Sequence, residues 1–122
     1  MRVILSRKGF DSANGGYPGP ILPDGRLISL PIPSSDNICY SDLRIDNKNT
    51  YFDLMKQLKG KVKYNGSWHE LNSSIQCHLD PDVYKQIVSR DKDWMPSFGQ
   101  INASQTHLKN KGVKEGDIFL FF

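Results

Sequence analysis

Three polar blocks in this sequence combine residue types and spacing that suit chemistry. The first is Ser6-Arg7-Lys8-Gly9-Phe10-Asp11, which follows the short apolar run Val3 to Leu5. Arginine can grip a phosphate or carboxylate bidentately, and lysine adds a point charge. Gly9, with Gly15, Gly16 and Gly19 beyond it, lets backbone amides come close to a ligand. Asp11 supplies a carboxylate that can serve as a general base. The same residues also read as an ordinary strand exit with solvated charges.

The second block is His78-Leu79-Asp80-Pro81-Asp82. His78 is a candidate general base, and with Asp80 and Asp82 it has a spacing that converges on a metal or a water where a strand ends and a helix starts. Asp80 and Asp82 are only weak metal candidates, because a helix cap and a first-turn acid explain them equally well. The third block runs from Phe98 to His107 and carries Gln100, Asn102, Gln105 and His107. Amide side chains suit the reading of base edges, and a helix N-terminus can receive an anion. Asn102 with Gln105 also reads as nothing more than a helix cap.

Other chemistries are excluded by their missing motifs. The sequence has no Gly-x-Ser-x-Gly elbow, no His-Glu-x-x-His, no paired-cysteine zinc pattern and no His-x-Glu deaminase signature. Cys39 and Cys77 are far apart and match no metal spacing, so reduced thiols and a cytoplasmic location are expected. Sixteen Lys plus Arg against thirteen Asp plus Glu leave a net charge of +3. That balance accommodates small anions but lacks the clustered cations of a dedicated duplex-binding surface. No apolar run is long enough to span a bilayer, so no membrane partner is expected.

The elements that must position these blocks follow from pattern. At 122 residues the chain is expected to form a single domain, residues 1–122. Val3 to Leu5 predicts a strand, and Pro23-Asp24-Gly25 a turn leading into a second, antiparallel strand over 26–30 that ends at Pro31 and Pro33. Further strands are expected over 38–43 and 75–79. Thr50 with Asp53 predicts a capped helix whose inner stripe is Tyr51, Leu54, Met55 and Leu58, stopped at Gly60. Asn65-Gly66 between alternating segments predicts a hairpin over 61–71. A second helix is expected from Asp80 to about Arg90, and a third from an Asn102 cap to Gly112. Asp117 to Phe122 reads as an apolar closing strand. Together these give an α+β protein: a compact mixed, mostly antiparallel sheet, or a small barrel-like sheet, with about three short helices.

Taken together, Leu5 to Asp11 with Gly15-Gly16, Asp24-Gly25 with Ser29 to Pro33, His78 to Asp82, and Phe98 through His107 to Phe122 resemble the nucleotide modification associated domain 3 family of bacteria and phages. That family takes its name from occurring with DNA-base modification systems. The resemblance implies a nucleotide-handling protein and marks Ser6, Arg7, Lys8, Asp11, Asp24, His78, Asp80, Asp82, Gln100, Gln105, His107 and Asp117 as its matching polar positions. It also implies a domain that continues past the Phe-Leu-Phe-Phe block, so that this chain would be a shortened form. It leaves the cofactor unspecified.

The resulting expectation is a protein that binds, and in one version modifies, a nucleotide, a modified base or a related phosphorylated molecule. Ser6, Arg7, Lys8, Asp24, Gln100, Gln105 and His107 are the expected binding residues, with Arg7 and Lys8 on the phosphate and Gln100 or Gln105 on the base. Asp11 or His78 is the expected catalytic base. The alternatives are a non-enzymatic module that sequesters a nucleotide or reads a base in nucleic acid, and an assembly domain that uses the strand over 118–122 to form a homo-oligomer.

Overall fold

The computed structural model describes residues 1–79 and 87–122. Its elements are β1 (Val3–Ser6), α1 (Tyr51–Leu58), β2 (Lys61–Tyr64), β3 (Ser67–Glu70), α2 (Asn102–Asn110) and β4 (Ile118–Phe121), with one 3-10 turn at Tyr40–Asp42. Among the described residues the strands form two separate two-stranded sheets. β1 pairs with β4 in parallel, Val3 opposite Ile118 through Ser6 opposite Phe121, while β2 and β3 form an antiparallel hairpin.

This corrects the expected architecture. Among the described residues there are two small two-stranded sheets instead of one mostly antiparallel sheet or a barrel, and two α-helices instead of three. The neighbour of the first strand is the last strand, not the segment over 26–30. That segment contributes only an isolated bridge between Ile21 and Leu27, and the segment over 75–79 makes only isolated bridges, Gln76 with Cys39 of the segment over 38–43 and Cys77 with Pro33. Proline explains the interruption. Residues 76–78 bond alternately to Ile38 on one side and to Ile32 and Ser34 on the other, but Pro31 and Pro33 have no N–H to continue a ladder. Most of the helix expected from Asp80 lies outside the described residues.

Where the local signals were strong, the elements form as expected. Thr50 Oγ1 accepts the Asp53 amide at 3.2 Å, and the Asp53 carboxylate accepts the Thr50 amide at 2.9 Å, which closes a capping box. The helix then turns Tyr51 and Met55 inward with Leu54 partly buried, while Leu58, expected on the same stripe, is exposed. Asn65 and Gly66 both take positive φ, 50° and 77°, as a two-residue hairpin with right-handed strand twist requires. α2 differs at its start: Asn102 is its first residue, at φ 52°, and Ile101 occupies the cap position with no side-chain cap.

The core collects Phe10, Leu30, Tyr40, Leu43, Tyr51, Met55, Val62 and Cys77 from the middle of the chain, together with Tyr17 and Ile87. Phe10 meets Tyr17 edge-on at 5.0 Å and Tyr40 at 6.3 Å. The Tyr40 hydroxyl donates to the Pro31 carbonyl at 2.6 Å, which gives that buried phenol a partner. The terminal sheet is different. Its Val3, Leu5, Ile118 and Leu120 side chains are each about half or more exposed, whereas parallel strands are usually covered on both faces.

Candidate functional site

The N-terminal loop holds itself closed. Gly9 has φ 81°, and a Cβ there would collide with the Leu30 carbonyl and the Ser29 hydroxyl. Gly15 faces the Phe10 ring in the same way. These glycines therefore allow close approach, and what approaches is the chain's own backbone and an aromatic ring. Asp11 Oδ1 accepts the amides of Ala13 at 2.8 Å and Asn14 at 2.6 Å. These bonds, led by the Asn14 amide, hold its carboxyl below the usual range, as expected for a carboxylate stabilised in its charged form. Ser29 Oγ donates to the Lys8 carbonyl. Lys8 carries its ammonium 4.4 Å from the centre of the Phe98 ring. Arg7 is exposed.

The other expected residues divide by place. Asp24 accepts the Arg26 amide at 3.0 Å and its Nε at 2.8 Å, a turn contact that leaves both side chains about half exposed. His78 Nδ1 meets Asp36 Oδ2, and this contact is the main reason the Asp36 carboxyl lies below its usual range. Asp80 and Asp82 lie outside the described residues, and no cluster of three metal-ligating side chains occurs among the described ones.

Ser6, Gln100 and His107 do come together. Pairing the two ends of the chain sets β1 beside α2, and a cavity of about 600 Å³ opens between them. Its polar lining is Arg2, Ser6, Gln100, Ser104, His107 and Lys111, and its apolar wall includes Ile4, Ala103, Leu108, Val113 and Phe119. A second cavity of about 380 Å³ shares Gln100, Leu108, Val113 and Phe119 with the first. It adds Gln105, Lys109, Lys114 and Phe98. Behind this wall Phe98 packs on Phe119 and Phe121 at 4.9 and 5.0 Å, so Lys8 is brought to the same cluster through its contact with Phe98.

Arg2 fastens this arrangement, and its part is not evident from sequence. Its guanidinium donates to the Lys111 carbonyl at 2.5 Å, to the Gly112 carbonyl, and to Asp117 Oδ2 at 2.7 Å. One side chain thus satisfies carbonyls left over at the end of α2 and ties them to the turn before β4. Asp117 also accepts the amides of Arg2 and Lys114. Its side chain is 2% exposed, and the Arg2 hydrogen bond foremost lowers its pKa to about 2. Ser104, Lys109, Lys111 and Lys114 were also missed. Ser104, His107 and Lys111 stand at helical spacing, a polar stripe on the face that lines the larger cavity.

The arrangement can accept a flat, partly polar molecule: one apolar wall, an amide that donates and accepts, a hydroxyl and an imidazole. Lysines at the second cavity suit an anionic group attached to it. No helix among the described residues is long and apolar enough to cross a membrane. Residues 2–122 match the family described as nucleotide modification associated domain 3, and the chain belongs to that family. No curated protein and no solved structure matches the chain.

Proposed function

We propose that this member of the nucleotide modification associated domain 3 family binds a nucleotide, or a base displayed by nucleic acid, in the two adjoining cavities around Gln100. The base lies in the larger cavity against Ile4, Leu108 and Phe119, with the Gln100 amide, Ser104 and His107 on its polar edge. The phosphate lies toward Lys109 and Lys114, with Lys8 beside Phe98 on the same side. One observation carries this reading. Ser6, Gln100 and His107, drawn from sequence blocks more than ninety positions apart, line a single cavity of about 600 Å³, within the size range of small-molecule sites.

Binding is the reading that the geometry favours over turnover. Asp11 is committed to its own turn and His78 to Asp36, and neither lines these cavities. His107 is the lining side chain able to take or give a proton, so it is the base that this site offers.

Calorimetric titration of purine and pyrimidine mono- and triphosphates tests the proposal. Gln100→Ala should weaken the best ligand by about tenfold, the value of a hydrogen bond left unmade at a desolvated edge. Arg7→Ala should cause a smaller loss that disappears in high salt, as for an exposed charge. Absence of any nucleotide binding, or equal binding by wild type and Gln100→Ala, overturns it.

A further inference from the structure

The hairpin surface, away from these cavities, carries chemistry that the nucleotide reading leaves unused. Every residue of β3 is exposed, and Trp68 at its centre is 46% exposed. The buried core is complete without this indole. The loop through residues 15 and 16 nevertheless holds the ring in place: Gly15 exchanges backbone hydrogen bonds with Lys63 at 2.8 and 3.0 Å, and a Cβ on Gly16 would run into the indole. The ammonium groups of Lys61 and Lys59 lie 5.1 and 5.9 Å from the ring centroid. Among the described residues no carboxylate pairs with either lysine. Glu70, the only acid in the hairpin, stands across the ladder from Lys61 without forming an ion pair with it.

A large aromatic face fixed at the surface, with cations around it that no carboxylate claims, is the combination on which unpaired bases stack while lysines meet the flanking phosphates. In the free protein the Lys61 ammonium rests against the indole and that of Lys59 lies between it and the Tyr17 ring, 5.4 Å from the latter, cation–π contacts worth little at an exposed site. A base can therefore take the indole face while the lysines turn outward to phosphate. Paired bases do not offer their faces, so a duplex gains only the charge contribution. We propose that the Trp68 surface binds single-stranded nucleic acid, with one base stacked on the indole and adjacent phosphates held by Lys59 and Lys61. This proposal stands independently of the cavities around Gln100.

Fluorescence anisotropy with a labelled ten-nucleotide oligothymidylate tests it, with a duplex of equal length as comparison. The single strand should bind more tightly than the duplex. Trp68→Ala should weaken binding about tenfold, and Trp68→Phe should recover part of that loss. Lys59→Gln with Lys61→Gln should reduce the slope of log affinity against log salt by about 1.4, from two phosphate contacts on a single strand. The lysine pair variant changes only exposed side chains and stays informative should Trp68→Ala destabilise the hairpin; mononucleotide binding at the cavities should be unchanged in it. Failure of oligothymidylate to bind, tighter binding of the duplex, or an unchanged salt slope in the lysine variant overturns the proposal.

Discussion

The middle of the chain and its two ends use polar residues in opposite ways. From Gly9 to His78, carboxylates and hydroxyls are spent on the chain itself: Asp11 on its loop, Asp53 on the cap of α1, Tyr40 on Pro31. Beneath them Leu30, Leu43, Met55, Val62 and Cys77 are fully buried. At the ends, a two-stranded parallel sheet and one helix leave apolar side chains half exposed and leave Gln100, Ser104 and His107 facing open cavities. Close packing confers stability and leaves no room for a ligand, whereas looser packing between elements leaves space that side chains can line. The proposed nucleotide site therefore falls at the ends, and the middle supplies the frame and, on the face of its hairpin, the separate Trp68 surface.

The strongest way to test that division is to remove buried volume from the middle. Met55→Ala should cost roughly 2–5 kcal/mol in urea unfolding, because a fully buried side chain leaves a cavity behind. Gln100→Ala or His107→Ala should fall within about 0.5 kcal/mol of wild type in the same assay while weakening nucleotide binding. Equal destabilisation by both kinds of variant would break the comparison.

A smaller effect separates two buried tyrosines. Tyr40→Phe removes the donor to the Pro31 carbonyl and should cost about 1–2 kcal/mol, since a buried carbonyl loses its partner. The Tyr17 hydroxyl is buried without a hydrogen-bond partner among the described residues, so Tyr17→Phe should be neutral or slightly stabilising. Burial also pushes the Tyr17 phenol up to about 12. Its protonated form is favoured in the folded state, so its contribution declines as pH rises above the ordinary value of 10. Burial raises the Tyr40 phenol further still, so difference absorbance at alkaline pH should show Tyr17 titrating late but before Tyr40, and Tyr17→Phe should remove that earlier step.

The smallest effect concerns the clasp at the ends. The Asp117 pKa is depressed from 3.8 to about 2. A carboxylate shifted down stabilises the folded state above its unfolded value, and that stability is lost as pH falls between about 4 and 2. Thermal melts over this window should show Asp117→Asn already weakened at pH 5 and less sensitive to further acid than wild type. Parallel acid limbs for the two proteins would show that Asp117 contributes nothing to the clasp.

The sequence disclosed what is local. The Thr50–Asp53 box, the Asn65-Gly66 turn and the apolar runs of β1 and β4 each lie within a few residues, and each formed. What stayed hidden is what depends on partners far along the chain. Pairing Val3 with Ile118 requires a register that no short window contains, and without it Arg2 reads as a loose cation and not as the clasp on α2 and Asp117. The segments over 26–30 and 75–79 have suitable residues but lie beside prolines, and the segment over 38–43 is interrupted by the 3-10 turn at Tyr40–Asp42, so all three make only isolated bridges. In the candidate site, Gln100, His107 and Ser6 were identified by residue type. Ser104 and Lys111 could have been found from their helical spacing with His107. Glycines in the opening loop show that the backbone admits a close approach, and the sequence does not tell a ligand from the chain itself; at Gly9 and Gly15 the Leu30 carbonyl, the Ser29 hydroxyl and the Phe10 ring fill that space.

Backbone amide chemical-shift mapping during titration with the best-binding nucleotide tests the central claim most directly. The account predicts the largest shifts at Ile4, Ser6, Gln100, Ser104 and His107, with Asp11, Asp24 and His78 nearly unmoved. Largest shifts across residues 9–16 or around His78, with the β1–α2 cavity silent, would contradict it.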